Sequence, residues 1–195
     1  MPVYEQSYRN YEGKFQSRFR WAIVLMQELR VLSKARVFLF LMLAALLHCL
    51  LRLLQVVAFD MVAQDPNHPF RMLQTIAAFE VDSKMFFDFI RIQAPLVFLV
   101  SLYAGTGMIC NDFRNNLMEI YFSKPISWRD YALGKLFTLI FVGLAITAFP
   151  AIFLIGLHNL LLPSIDLFVE SLSWMLAAVA FSLVIVLPCA TATLA

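Results

Sequence analysis

Charge is what this sequence has least of. Lys, Arg, Asp and Glu together make up 14% of its 195 residues, against 62% hydrophobic. Soluble domains run near 25% charged and roughly 45–50% apolar, so the surplus apolar surface has to face lipid. A mean hydropathy of +0.79 agrees. Cysteine is scarce as well. Cys49, Cys110 and Cys189 are odd in number, widely spaced and set in or beside apolar runs, which argues against a disulfide framework or a metal site. No HExxH, no Ser-His-Asp order and no paired Asp motif is present, and His68 and His158 share no ligand spacing with a Cys or carboxylate. No catalytic residue and no metal ligand is therefore assigned. A Gly-x-x-x-x-Gly-Lys-Ser/Thr loop is missing too: Gly134-Lys135 is followed by Leu136 and lacks the upstream glycine. Without that phosphate cradle the chain has no P-loop route to ATP hydrolysis. The net charge of +2 is too small to point to nucleic acid. There is no Asn-x-Ser/Thr acceptor, and the first thirty residues hold no early apolar core of the signal-peptide kind.

What is present is a series of long apolar runs. A hydrocarbon core of about 30 Å needs about 20 apolar residues per helix, and four stretches qualify, at about 37–59, 86–109, 136–157 and 167–188. The expected fold class is all-α, a polytopic transmembrane helical bundle. Pro95, Pro150 and Pro188 fall in or beside the last three spans. Such prolines are tolerated where neighbouring helices satisfy the freed carbonyls, which favours a packed bundle over isolated spans.

Residues 1–35 form a first region. The opening fourteen, MPVYEQSYRNYEGK, are polar and Tyr-rich. In 15–35 Phe15, Phe19, Ala22, Met26 and Leu29 recur at helical spacing while Arg20, Gln27, Arg30 and Lys34 lie elsewhere on the wheel. A basic amphipathic helix before a span belongs in the membrane interface, against the lipid headgroups. Residues 36–195 are the transmembrane region. Because the sequence stops at LPCATATLA, where the fourth span should emerge, further spans are expected downstream.

Lys and Arg are biased to one side. The N-terminal region holds Arg9, Lys14, Arg18, Arg20, Arg30, Lys34 and Arg36, and the loop at 110–135 holds Arg114, Lys124, Arg129 and Lys135. The segments facing the other way are rich in acids, among them Asp60, Asp65, Glu80, Asp82, Asp166 and Glu170. The N-terminus and the 110–135 loop are therefore expected in the cytoplasm. On the other side lie a turn-rich DPNHP, with a short helix expected near 70–79, and a tight turn at LLPSID.

The 110–135 loop is built with unusual care. Gly105 and Gly107, at the end of span two, allow close helix approach. Phe113, Leu117 and Ile120 fall on one helical face, with Asp112, Asn116 and Glu119 on another. Lys124-Pro125 ends that helix, since proline disfavours helix at the residue before it. Ser127 and Asp130 then match a capping box, with Ile126 and Tyr131 at the staple positions. The box starts a helix that runs into span three, with Gly134 for tight packing and Lys135 at the interface. A connector needs only about 2–8 residues, so some 25 suggest a docking surface for a cytoplasmic partner.

The run DFRNNLMEIYFSKPISWRDYALGK resembles the first cytoplasmic loop of ATP-binding-cassette (ABC) type-2 exporter permeases. In those proteins a charged stretch leads through Leu, an aromatic residue and Ser-Lys-Pro-Ile-Ser to Tyr and Gly-Lys at the next span. The basic interfacial helix is similar to that family's elbow helix. The motif covers about 25 residues and the layout most of the chain. The resemblance implies a permease subunit in the bacterial inner membrane, with two halves enclosing a path and separate ATPase subunits binding ATP and Mg. It also implies that the loop is the coupling helix, with Asp112, Arg114, Leu117 and Glu119 contacting the ATPase and Phe113 anchored toward the membrane. Two departures stand out: only four spans are present, and Asp112 stands where Glu is common. A reading from another class is a membrane scaffold or assembly subunit whose loop docks a different partner.

Ionisable residues inside a span are functional candidates by default. His48 and Arg52 lie four apart on one face of span one, as pathway-lining residues or with Arg52 reaching toward Asp60. Asp88 and Arg91 read as an interfacial ion pair near the outer end of span two.

Overall fold

The computed structural model describes residues 19–64, 80–123, 126–162 and 164–194. Among these residues the chain forms seven helices and no strand, and it is an all-α helical bundle. Helix α1 covers Arg20–Leu32, α2 Arg36–Gln64, α3 Ser83–Arg114, α4 Leu117–Phe122, α5 Trp128–Ile146, α6 Ala148–Leu161 and α7 Ile165–Leu194. Four stretches are long and apolar enough to cross a membrane: α2, α3, α5 with α6, and α7. This is a multi-pass membrane protein. Phe15, the segment expected to be helical near 70–79, and the Lys124-Pro125 step lie outside the described residues.

The spans are longer than the apolar runs suggested. α3 has 32 residues, about 48 Å at 1.5 Å per residue, so its ends project past a hydrocarbon core of about 30 Å. The third span is two helices in line. Pro150 has no N–H for the Ile146 carbonyl, and its ring crowds that carbonyl, which favours a kink or a break there. The break falls at Thr147, at φ −109° and ψ −72°, and the Thr147 hydroxyl donates to the Gly143 carbonyl at 2.9 Å.

Three glycines set how closely the helices approach. A Cβ on Gly105 would lie 2.6 Å from Thr193 Oγ1 of α7, and one on Gly143 would lie 2.7 Å from the Val186 side chain. A Cβ on Gly134 would lie 2.6 Å from Val24 Cβ and 2.9 Å from the Trp21 carbonyl oxygen of α1. Gly107 has no such neighbour on another helix; the only atom near its absent Cβ is the Asn111 side chain, at 3.4 Å.

The buried side chains form two clusters, one toward each end of the bundle. Phe38, Val100, Ala104, Met108, Leu139, Ile146 and Val186 fill the end where α1 packs on α5. Val56, Phe86, Phe89, Ile90, Leu154 and Ile155 fill the other. The Thr147 break lies between the residues that α5 and α6 contribute to the two clusters.

Candidate functional site

The sequence places the site at the loop after the second span, and the structure builds that region from four helices. α3 continues through Asp112 and Phe113 to Arg114. Asn116 then takes a left-handed conformation, φ 54° and ψ 27°, which Asn tolerates better than other residues bearing a Cβ. α4 follows as a separate helix of 6 residues. The expected single helix from Phe113 to Ile120 is thus corrected: Phe113 belongs to the end of α3, and the turn at Asn116 gives α4 its own axis.

Ser127 and Asp130 close the start of α5 with a capping box. The Ser127 hydroxyl accepts from the Asp130 N–H at 3.2 Å, and the Asp130 carboxylate accepts from the Ser127 N–H at 3.2 Å and from its hydroxyl at 2.7 Å. The short polar side chains satisfy helix-terminal donors locally, which fixes where α5 leaves the loop.

One turn further along, Lys135 forms the centre of the site. It is 1% exposed, buried between helices. Its Nζ donates to Glu28 Oε1 of α1, to Asp112 Oδ2 of α3 at 2.7 Å and to the Met108 carbonyl at 3.0 Å. The Tyr131 hydroxyl donates to the same Asp112 oxygen at 2.7 Å. Three helices are thereby tied at one ammonium group. Isolated charges are very costly to remove from water, and such a cluster persists only because every member is paired. Asp112 Oδ2 accepts from two donors, Lys135 Nζ and the Tyr131 hydroxyl. Burial pushes the Glu28 carboxyl above its ordinary value of 4.5, against the pull of Lys135. With two acids to one base, a proton taken up by Glu28 makes the cluster neutral.

Aromatic rings extend the junction to α4. Tyr121 packs on Tyr131 with ring centroids 5.5 Å apart, and Trp128 stacks on Tyr131 at 5.6 Å. Burial, followed by the nearby Asp112 and Glu28 charges, pushes the Tyr121 hydroxyl above its usual value. A cleft of about 540 Å³ opens between α1 and the α3–α4 turn, lined by Gln27, Glu28, Asn111, Asp112, Asn115 and Tyr121 among others.

The expected contact residues divide accordingly. Arg114 and Glu119 are exposed and Leu117 is half-buried. Phe113 is 61% exposed. Asp112 is turned inward at 6% exposure, with Oδ2 on Lys135 and Tyr131.

Sequence reasoning missed Glu28. A carboxylate on the Val24–Leu32 stripe, all three buried against the bundle, was the available signal. It also missed the pair at the opposite end. Asp60, expected in a loop, is a fully buried residue of α2. His158 Nδ1 lies 2.9 and 3.0 Å from its two oxygens, with Phe86 and Trp174 packed around the imidazole. Arg52 therefore does not reach Asp60. Its guanidinium donates to Gln55 at 2.8 Å, and it makes no ion pair among the described residues. His48 stacks on Phe89 of α3 at 5.2 Å. Asp88 and Arg91 form no ion pair among the described residues either.

No three His, Cys, Asp or Glu side chains converge on a common point among the described residues, and the three cysteines are free thiols. No protein-family model, curated protein or solved structure matches the chain.

Proposed function

We propose that the protein is the membrane-spanning permease subunit of an ATP-driven exporter of the ABC type-2 kind. In this reading it lies in the bacterial cytoplasmic membrane with its N-terminus and the α3–α5 loop inside. A separate ATPase binds ATP and Mg, and a second permease half completes the path. The observation that carries this reading is the junction at Lys135. α4 and the end of α3 present Arg114 and Glu119 outward, while immediately behind them Asp112, Lys135 and Glu28 join α3, α5 and α1. A push on α4 reaches the junction through the Tyr121–Tyr131 contact and shifts three helices together. Closure of an ATPase pair beneath the loop would supply that push.

The test is pull-down of the tagged protein from native membranes. An ATPase with a phosphate-binding Gly-Lys-Ser/Thr loop should co-purify, and the double charge reversal Arg114→Glu with Glu119→Lys should reduce its recovery by tenfold or more. Folding of the variant is checked by its thermal transition in detergent. Recovery of a partner without that loop would favour the scaffold reading, and equal ATPase recovery from both chains would remove the coupling assignment.

A further inference from the structure

The junction sets two carboxylates against one ammonium. Glu28 Oε1 and Asp112 Oδ2 both sit on Lys135 Nζ, which leaves one negative charge without a basic partner. Each acid also keeps a second oxygen, Glu28 Oε2 and Asp112 Oδ1. Neither takes a hydrogen bond from the described residues, and neither is sealed from solvent. Both residues are more than nine-tenths buried. The space in front of them is the cleft of about 540 Å³, and among the described residues no Lys or Arg lines it. Gln27, Asn111 and Asn115 line the same end, and their amide oxygens are further acceptors.

The rest of the cleft is apolar. Along α3 its wall runs from Asp112 back through Met108 and Ala104 to Tyr103, about 14 Å of helix. α1 supplies Val31, Leu32 and Ala35. Gly107 leaves this space open, because the only atom near a Cβ there is the Asn111 side chain, at 3.4 Å. Val31 and Tyr103 are exposed, so the apolar end opens to the surroundings of the bundle. Ligand sites of about 300–1,000 Å³ combine apolar walls with a few convergent polar groups, and this cleft has both.

We propose that the cleft between α1 and α3 binds an organic cation, an ammonium group carried on an apolar body. The ammonium donates to Glu28 Oε2 and Asp112 Oδ1, and the body lies against Leu32, Ala104 and Met108. An ammonium offers three donors and a carboxylate only acceptors, and hydrogen bonds between charged partners are the strong ones. The ligand supplies the positive charge that the cluster lacks and clasps α1 to α3. A proton on Glu28 balances the same charge, so proton and ligand compete. The titratable groups around Glu28 are Lys135, Asp112, Tyr121 and Tyr131, and burial already raises the Glu28 carboxyl. The site stands on this geometry and does not require the transport reading.

Isothermal titration calorimetry on the purified full chain in dodecyl maltoside decides the matter. Dodecylammonium is the probe. Dodecanoate is the control of opposite charge and equal chain length, and butylammonium carries the same headgroup without the long apolar body. Dodecylammonium should bind at least tenfold tighter than either, with an affinity that rises from acid to neutral pH. Glu28→Gln keeps an acceptor for Lys135 but removes one negative charge; it should lower the affinity tenfold or more and abolish the pH dependence. Gly107→Leu leaves both carboxylates in place and fills the cleft, and it should lower the affinity as far. An unchanged thermal transition in detergent separates that loss from a failed fold. Equal binding of dodecylammonium and dodecanoate, equal binding of butylammonium, or full affinity in either folded variant would overturn the proposal.

Discussion

The two ends of the bundle solve one problem differently. At the α1 end, one ammonium holds two carboxylates from two other helices, and Tyr121 of α4 packs beside it on Tyr131. At the opposite end, a single imidazole meets a single carboxylate, and the surrounding rings are apolar. Both bury ionisable groups, and the first lies behind the exposed Arg114 and Glu119 and the short helix α4. The junction ties three helices at one ammonium, whereas the pair ties α2 to α6 alone.

The largest expected effect separates these roles. Lys135→Met strands two carboxylates and should cost about 3–5 kcal/mol, the usual loss when one partner of a buried pair is removed. His158→Phe strands only Asp60 and should cost less, about 1–3 kcal/mol. Thermal or denaturant unfolding in detergent reads both, and equal losses would erase the distinction between the ends. A second contrast uses glycine. Gly134→Ala drives a methyl into Val24 and the Trp21 carbonyl, and overpacking of that kind costs about 1–3 kcal/mol. Gly156→Ala meets nothing within 4 Å and should gain about 0.5–1 kcal/mol from better helix propensity. If both behave alike, close approach is not what holds α1 to α5.

Much of this architecture was legible in the sequence, because its signals are local. Four runs of apolar residues require four spans, and Ser127 with Asp130 fixes the start of α5 over a distance of three residues. The junction was hidden because its partners are 107 and 23 residues apart in the chain. Helical periodicity places Glu28 and Lys135 on helices without saying which faces meet. Asp60 was misplaced for a related reason: a charged residue at the edge of an apolar run reads as the end of the helix until its partner, 98 residues away, is known. Left-handed Asn116 is a local feature, but Asn115-Asn116 alone does not distinguish a turn from a polar helix face.

Smaller effects sharpen the contrast. Ser127→Ala removes one side of the capping box and should cost about 1 kcal/mol, loosening the start of α5 without touching the His158 end. Hydrogen exchange at the amides of Asp130 and Tyr131 would locate the loss. The weakest effect is a pH dependence confined to the junction. Because the folded chain raises the Glu28 carboxyl above 4.5, folding takes up a proton there. The stability it contributes is full at pH below 4.5 and is lost as pH rises through the raised value. Glu28→Gln should flatten that part of the stability–pH curve, and an unchanged slope would mean that the junction carries no extra proton.

The interruption at Thr147 has a consequence for how damage combines. Leu139, Val142 and Ile146 of α5 belong to one cluster, and Ala151, Leu154 and Ile155 of α6 to the other. Sites that share no partners add their effects within about 0.5 kcal/mol. Ile185 of α7 packs against both clusters, so lesions on either side of the break should accumulate as independent penalties where they leave Ile185 untouched and should couple where they reach it.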